Sequence, residues 1–263
     1  NKLDKLRLQS AGLKLTDKNN DFINGLKQSE NYINNYLPKQ KIRILDVGCS
    51  WGYFLKLAKK KGHNCYGLEL NNIRRKYVND KLRINCYKEL NQLKNLKFNK
   101  IFLFYSLEYI KDPLNFLLKL KSYLLPKGEI IIYTPNKNDH VNSLFKLKEY
   151  ENFFYEENSI NYFSPKSFEK LCKKISRKYK IKVLQGYSLI NLINWYFHKK
   201  PFSSGYVGED KFIDEFISSI NIKKMKLKRE ELVLKKLIYK TNNYFKRFLE
   251  QNKIANIIVV KIQ

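Results

Sequence analysis

The loop at residues 46–52 (DVGCSWG) is the first segment whose residue types and spacing could do chemistry. It follows a short apolar run and precedes a stretch with helical periodicity, so it would join a strand to a helix. Gly48 and Gly52 permit tight turns and let the backbone approach a ligand closely. The free N–H groups at the start of the helix would face that ligand. The loop therefore predicts a binding site for a nucleotide-like cofactor.

A carboxylate, Glu69, follows this loop at a spacing of about twenty residues, at the predicted end of the next strand. A carboxylate in this place can accept both hydroxyl groups of an adenosine ribose, and the adjacent Leu70 can lie against the adenine. The loop is not GxGxxG, and no GK(S/T) follows it. Dinucleotide binding and P-loop chemistry are therefore not favoured.

Apolar patterns predict the strands and helices that must position these residues. Short apolar runs predict the strands KIRILDV, NCYGLEL, RINCY, KIFLFYSL, EIIIYTPN, KIKVLQGYS and IANIIVVKI. Amphipathic stretches between them predict helices over about 51–61, 72–80, 113–125 and 165–175. Pro126 and Gly128 are expected to end the third helix. Strands that alternate with helices in this way indicate an α/β fold with a doubly wound, mostly parallel sheet.

The chain is predicted to have three parts. Residues 1–40 have a helical pattern that ends at Pro38. Residues 41–188 and 253–263 are expected to form the cofactor-binding domain. A Lys-rich and largely helical section at 189–252 precedes the last strand. We interpret this section as a helical insertion, because the terminal strand after it needs a sheet to join.

The net charge of +28 raises the question of a polyanionic partner. Only eight of the 52 basic residues are arginines, and the lysines are spread along the chain. Nucleic-acid surfaces usually recruit Arg for bidentate contacts with bases and phosphates. We therefore favour a solvated basic surface over a nucleic-acid partner, and a phosphorylated small substrate fits either interpretation.

Other sequence features bound the class of protein. The four cysteines show no CxxC pairing and no His at metal-ligand spacing, so free thiols in a reducing cytoplasm are expected, with no metal site. No stretch of eighteen apolar residues is present, so no membrane span is expected. The segment NKLDKLRLQS lacks the apolar core of a secretory signal. These features predict a cytoplasmic protein.

Several segments together resemble the class I S-adenosylmethionine-dependent methyltransferases. ILDVGCSWG and GLELN are similar to motifs I and II of that family. SLEYIKDPLNFLLKLKSYLLPKGEIIIYTPN and INYFSPKSFEKL resemble later elements of the subgroup that includes ubiquinone-pathway and sugar O-methyltransferases. The resemblance covers about 40–185 and the last strand. It implies a Rossmann-like fold with seven strands, S-adenosylmethionine as cofactor and S-adenosylhomocysteine as product.

The resemblance also implies roles for individual residues. Asp46 would hold the loop or reach the amino group of the cofactor through water, while Glu69 would bind the ribose and Leu70 the adenine. Tyr105 and Ser106, at the end of the fourth strand, would lie near the methyl sulfonium. The residues implied to contact the cofactor are Asp46, Gly48, Cys49, Ser50, Gly52, Glu69, Leu70, Tyr105 and Ser106.

The sequence departs from the subgroup's pattern at two positions where the subgroup usually has a histidine that could transfer a proton. Tyr109 replaces the histidine of a leucine–glutamate–histidine triplet, and Ser159 replaces a later histidine. Ser50 stands where a third glycine is common, and its side chain could cap the following helix. If the acceptor is an alcohol, a base helps the transfer. His140, which follows the fifth strand, is the first candidate for this base, and Glu108 and then Tyr109 come after it.

These observations predict methyl transfer to an oxygen (or nitrogen) of a small metabolite by a monomer or dimer. A sugar, a nucleotide-sugar or a phosphorylated intermediate of surface-polysaccharide synthesis is the preferred acceptor. One alternative is an RNA methyltransferase, although the Asn/Asp-Pro-Pro-aromatic tetrapeptide of many such enzymes is missing after the fourth strand. The other is a non-catalytic relative that binds the cofactor and uses the helical insertion as a partner surface.

Overall fold

The computed structural model describes residues 28–155, 158–199 and 228–263. A first helix, α1, covers residues 28–36. The strands are β1 Arg43–Val47, β2 Asn64–Leu68, β3 Asn85–Tyr87, β4 Phe98–Phe104, β5 Leu124–Pro135, β6 Tyr179–Leu184 and β7 Ile257–Ile262. The other helices are α2 Tyr53–Lys60, α3 Asn72–Asp80, α4 Pro113–Lys121, α5 Lys148–Phe154, α6 Pro165–Ile175, α7 Leu189–His198 and α8 Lys228–Gln251. Short helical turns lie at Leu90–Leu93, Leu107–Tyr109 and Val141–Phe145.

The seven strands form one sheet in the order β3-β2-β1-β4-β5-β7-β6. The pairs between β3, β2, β1, β4 and β5 are parallel, and β7 runs antiparallel to β5. The central strands are buried on both faces, as expected for a sheet covered by helices on each side. Fully buried apolar residues of these strands include Ile44, Leu45, Ile101, Phe102, Leu103, Ile130, Ile131 and Ile132. The predicted α/β, seven-stranded, mostly parallel sheet is confirmed.

Two local predictions differ from the structure. The third predicted helix ends at Lys121 rather than near 125, because Leu124 already pairs with Phe98 as the start of β5. The register of this pair of strands then shifts between Phe98 and Lys100, which accommodates the Pro126–Gly128 segment within β5. In addition, Ser50 does not cap α2: the N-cap residue is Gly52, which has no side chain to cap the helix.

The predicted N-terminal helical region lies partly within the described residues. Residues 28–36 are helical and the helix ends before Pro38, whereas residues 1–27 lie outside the described residues. Tyr32 and Ile33 are buried, and the Tyr32 ring stacks on Phe104 with 3.9 Å between ring centroids. This helix therefore belongs to the apolar core around β4.

The described residues divide into two compact units. The first unit, which comprises residues 28–137, 158–183 and 257–263, contains α1 to α4, α6 and almost the whole sheet. The second unit comprises residues 138–155, 184–199 and 228–256 and is helical. Its apolar cluster consists of Val141, Leu147, Tyr150, Leu192 and Trp195, with Phe245 among the residues packed against it.

The helical prediction for 189–252 covers α7 and α8, while residues 200–227 lie outside the described residues. Residues 138–155, which directly follow β5, pack in the same unit as these two helices. Within the described part of the chain, no helix combines the length and the apolar content that a membrane crossing requires.

Candidate active site

The loop after β1 holds three residues in the left-handed backbone region. Their φ angles are 75° at Gly48, 49° at Ser50 and 70° at Gly52. The N–H of Gly48 donates to the carbonyl of Leu68 at 2.8 Å, so the loop is fixed to the end of β2. A Cβ atom at Gly48 would lie 2.8 Å from the Cβ of Ser106, which leaves no room for any larger residue. The backbone of this loop is therefore held close to the ends of its two neighbouring strands.

Glu69 connects this loop to the segment that follows β2. Its Oε2 accepts a hydrogen bond from the N–H of Ser50 at 2.9 Å, and its Oε1 accepts one from the N–H of Asn71 at 2.7 Å. A carboxylate offers about four acceptor positions, so both oxygens retain the capacity to accept a ribose hydroxyl. The neighbouring Leu70 side chain is 73% exposed and is therefore available to contact an adenine ring.

Asp46, the fourth residue of β1, is a buried carboxyl group whose exposure is only 4%. It accepts no hydrogen bond from the described residues. Burial, followed by the negative charge of Glu69, raises the pKa of Asp46 to about 8. Two acidic groups near each other without a cation are electrostatically unfavourable. The pair therefore fits a ligand that carries positive charge, as the ammonium and sulfonium groups of S-adenosylmethionine do.

Cys49 lies within the loop but is buried. Its Sγ is 3.6 Å from the Sγ of Cys86 on β3, and both thiols lie over Gly67, where a Cβ would meet them at 3.0 Å or less. The hydrogen bond with Cys86 and burial raise the pKa of the Cys49 thiol well above its usual value. The thiol therefore stays protonated, and only the backbone of Cys49 is suited to contact a cofactor.

The end of β4 presents Tyr105 and Ser106 at the same edge of the sheet. Tyr105 has a φ of 51°, a strained value for an aromatic residue, and its N–H donates to the carbonyl of Tyr133 at 2.9 Å. The hydroxyl of Ser106 donates to the carbonyl of Val47 at 2.9 Å. Ser106 thus fixes the turn after β4 to the loop at residues 46–52 that follows β1.

Glu108 lies in the helical turn after β4 and is 4% exposed. Its carboxylate accepts a hydrogen bond from the hydroxyl of Thr134 at 3.4 Å, and its backbone carbonyl accepts the N–H groups of Ile160 and Asn161 at 2.9 Å each. The side chain of Asn161 also donates to the carbonyl of Ile110 at 2.7 Å. The segment around 160 therefore holds this turn in place.

Thr134 and Asn161 were not among the residues singled out from the sequence. Both lie inside segments that resemble family elements, YTPN and INYFSPKSFEKL. Each was visible there as a polar residue beside a predicted strand or helix end. Their contact with the turn after β4 joins positions separated by 26 to 51 residues, which spacing alone does not reveal.

The three candidate bases lie in different units and differ in burial. Glu108 and the half-buried Tyr109 share the turn after β4 in the first unit. His140 belongs to the second unit, is 1% exposed, and has its ring 5.5 Å from that of Phe245. Burial lowers the pKa of His140 to about 4, although the nearby backbone carbonyl of Ile254 partly opposes this. Its imidazole is therefore neutral at physiological pH and a weak base.

The fold and the geometry of the first unit define a class of protein. The strand order reverses between β1 and β4, the point at which doubly wound sheets bind ligands beyond the carboxyl ends of their strands. A loop of left-handed residues follows β1 there, and an acidic residue follows β2. This combination is that of the class I S-adenosylmethionine-dependent methyltransferases.

The chain belongs to the methyltransferase family, since the family model described as a methyltransferase domain matches residues 26–175. It is an enzyme of class I, with S-adenosylmethionine as methyl donor and S-adenosylhomocysteine as product. No curated protein matches the chain significantly.

Solved structures share the fold at low sequence identity. A SAM-dependent methyltransferase from Archaeoglobus fulgidus is 18% identical, with a TM-score of 0.54, and the match covers 90% of this chain and 94% of that one. The plantazolicin methyltransferase BpumL, solved in complex with SAH, is 19% identical with a TM-score of 0.50 and coverages of 92% and 83%. The plantazolicin methyltransferase BamL is 14% identical with a TM-score of 0.50 and coverages of 93% and 86%. Similarity at this level concerns the fold.

Proposed function

We propose that this enzyme transfers the methyl group of S-adenosylmethionine to an oxygen (or nitrogen) of a small metabolite. The observation that carries the proposal is the group of polar residues at the carboxyl ends of β1 and β2. Asp46 and Glu69 are both at least 92% buried, and no Lys, Arg or His among the described residues forms an ion pair with either. A cofactor with two positive charges and a ribose would complete it. When bound, the cofactor supplies a methyl group on a sulfonium that leaves as a neutral thioether.

The residues of the chain would act mainly by positioning, which can contribute much of the rate of a displacement reaction. Glu69 would accept the ribose hydroxyls, and Leu70 would cover one face of the adenine. Asp46 would attract the ammonium group, directly or through water. The backbone around Gly48 would lie beneath the methionine part, and Ser106 would keep this loop fixed against the turn after β4.

An alcohol acceptor also has to lose its proton. We propose Glu108 as the first candidate to receive it and Tyr109 as the second, since both follow β4 within the unit that contains the cofactor loop. The hydrogen bond from Thr134 would orient the Glu108 carboxylate. His140 is the third candidate, because a pKa of about 4 makes an imidazole a weak base near neutral pH. An acceptor that is already ionised, such as a phosphate, would need no base.

We further propose a sugar, a nucleotide-sugar or a phosphorylated intermediate of surface-polysaccharide synthesis as the acceptor, in the cytoplasm. Support comes from the resemblance to the subgroup with sugar O-methyltransferases and from the net charge of +28, which attracts phosphorylated molecules. That charge also favours RNA as a second candidate acceptor. The plantazolicin methyltransferases of the same fold make an azole-containing peptide a third class to include in any screen.

Two measurements test the proposal in sequence. Calorimetry should detect binding of S-adenosylhomocysteine, which should also raise the Tm by mass action. Folded protein that gives no heat at millimolar ligand would refute the cofactor site. Acceptor candidates should then be screened with S-adenosylmethionine by mass spectrometry for the gain of one methyl group. Methylation of generic RNA, with no small molecule modified, would replace the metabolite proposal, and tight cofactor binding without methylation of any class would indicate a non-catalytic relative.

A further inference from the structure

Three polar side chains of the second unit contain buried atoms without a hydrogen-bond partner in the part of the chain that the structure describes. Both amide atoms of Asn142, the Nδ2 of Asn242 and the Nδ1 of His140 are in this state. Asn242 is 2% exposed and His140 is 1% exposed. Buried polar groups in folded proteins are nearly always paired, because leaving them unpaired costs free energy. Several unpaired groups in one small unit therefore require an explanation.

These side chains lie on segments that meet in the interior of the second unit. The His140 ring is 5.5 Å from the ring of Phe245, and Asn242 precedes Phe245 by one turn of α8, on the same face of that helix. Val141, which separates His140 from Asn142, belongs to the apolar cluster against which Phe245 packs. The unpaired atoms thus lie on two segments, the turn after β5 and α8, that pack on the same apolar cluster.

The polar atoms of this region that do have partners show which kind of ligand would complete it. The Oδ1 of Asn242 accepts the N–H of Leu189 at 2.8 Å, which leaves its NH2 group as a donor. The carboxyl group of Asp139 accepts hydrogen bonds from the hydroxyl of Tyr150 at 2.5 Å and from the N–H of Asn142 at 2.8 Å, and burial raises its pKa to about 6. The groups that remain are two amides and a neutral imidazole.

We propose that Asn142, Asn242 and His140 form a binding site in the second unit for an uncharged amide or hydroxyl group of a small ligand. Such a group donates and accepts hydrogen bonds at once, as these side chains require. An anionic ligand is disfavoured, because it would be buried beside the carboxyl group of Asp139 without a counter-ion. This site goes beyond the proposed function: it includes His140, the third candidate base, but none of its residues belongs to the loop at 46–52 that is proposed to bind the cofactor.

The first test is an NMR titration of the complete chain, with the histidine rings and the asparagine side-chain amides labelled. Acetamide is the probe, and acetate, which has the same size but a negative charge, is the matched control. Acetamide should shift the signals of His140, Asn142 and Asn242 saturably, in the roughly millimolar range that four well-bound heavy atoms can reach. Acetate should leave these three signals in place. Shifts that are equal for both probes, or absent for acetamide, would overturn the proposal.

The second test compares two substitutions of partly exposed residues that carry the same amide. Asn142→Leu removes unpaired atoms, so its Tm should be unchanged or higher, and the acetamide shift of His140 should disappear. Asn79→Leu is the control, because the Asn79 amide makes three hydrogen bonds with the backbone of Arg75 and Cys86. Its Tm should fall by about 2–10 °C.

A fall in Tm for Asn142→Leu as large as that of Asn79→Leu would mean that the Asn142 amide is paired within the protein, which would exclude a ligand site there. Binding of S-adenosylhomocysteine to both variants checks that the first unit is folded and reports on the proposed function separately. If the Asn142→Leu variant does not fold, the acetamide and acetate titrations of the unmodified protein still show whether an uncharged amide binds at these three side chains.

Discussion

The two units of the molecule bury polar groups of different charge. At the carboxyl edge of the sheet, the first unit buries the acidic pair Asp46 and Glu69, and their mutual repulsion contributes to a raised pKa at Asp46. In its interior, the second unit buries neutral amides and an imidazole around Asn142 and Asn242. An uncompensated acidic pair selects a cation, whereas unpaired neutral groups select an uncharged ligand. We therefore propose that the cofactor binds to the first unit and an uncharged group to the second.

The largest expected effect separates the candidate bases of the two units. On the acceptor identified by the screen, Glu108→Gln should lower kcat by a factor of about 10²–10⁴ if this carboxylate takes the proton. Its affinity for S-adenosylmethionine should stay within about twofold, because the contact removed is with the acceptor. Thr134→Val should cause a smaller loss, since it removes only the hydrogen bond that orients Glu108.

His140→Ala is the matched experiment in the second unit. We expect a smaller loss in kcat than for Glu108→Gln, because a neutral buried imidazole is better suited to hold a ligand than to accept a proton. If His140→Ala instead gives the larger loss in kcat with cofactor affinity intact, His140 is the base. The second unit, and not the first, would then supply the group that accepts the proton.

A second prediction concerns the cofactor carboxylate. Glu69→Ala should weaken binding of S-adenosylhomocysteine by about 10²-fold, because it removes the acceptors of the ribose hydroxyls and two hydrogen bonds to loop backbone. Glu69→Gln should have an intermediate effect, since one side-chain oxygen remains as an acceptor. Calorimetric titration measures both variants. An unchanged affinity in Glu69→Ala would show that the ribose binds elsewhere.

A third prediction uses two glycines that both have positive φ angles but have different numbers of atoms close to the position of a Cβ. Gly48→Ala should destabilise the protein by more than the roughly 1–2 kcal/mol of a left-handed alanine, because the new Cβ would also lie 2.8 Å from the Cβ of Ser106. Gly62→Ala has a φ of 88° and open space around the new methyl group, so it should show only the backbone cost. Denaturant unfolding measures the difference, and equal losses would contradict the tight contact at Gly48.

The sequence predicted the features that depend on local spacing. The seven strands and the position of Glu69 directly after β2 followed from apolar runs and turn residues. The predictions from sequence were wrong where contacts between residues far apart in the chain determine where a helix begins or ends. Helix α4 is shortened because Leu124 pairs with Phe98 in the sheet, and the backbone of Ser50 donates to Glu69 while Gly52 begins the helix. The burial of His140 in the second unit likewise depends on residues about a hundred positions away.

The last prediction concerns the pH dependence that Asp46 confers. Its pKa of about 8 in the folded protein lies above the usual value of 3.8, so the folded state binds more protons than the unfolded state between these pH values. The free energy of unfolding should therefore decrease as the pH rises from about 4 to about 8. Asp46→Asn should remove this part of the dependence, which unfolding at a series of pH values would show.

Cofactor binding should respond to the same titration with the opposite sign. A cation stabilises the ionised form of Asp46, so binding releases a proton below pH 8 and the affinity for S-adenosylmethionine should rise with pH. Between pH 6 and pH 7 the gain should be about tenfold, as expected for one group that titrates near pH 8 while the ammonium group of the cofactor stays protonated. Asp46→Asn should flatten this rise, and calorimetry in buffers of different ionisation enthalpy should detect the released proton in the unmodified protein alone. If the rise persists in Asp46→Asn, another group titrates. Asp46 would then not be the carboxyl group that binds the positive charge of the cofactor.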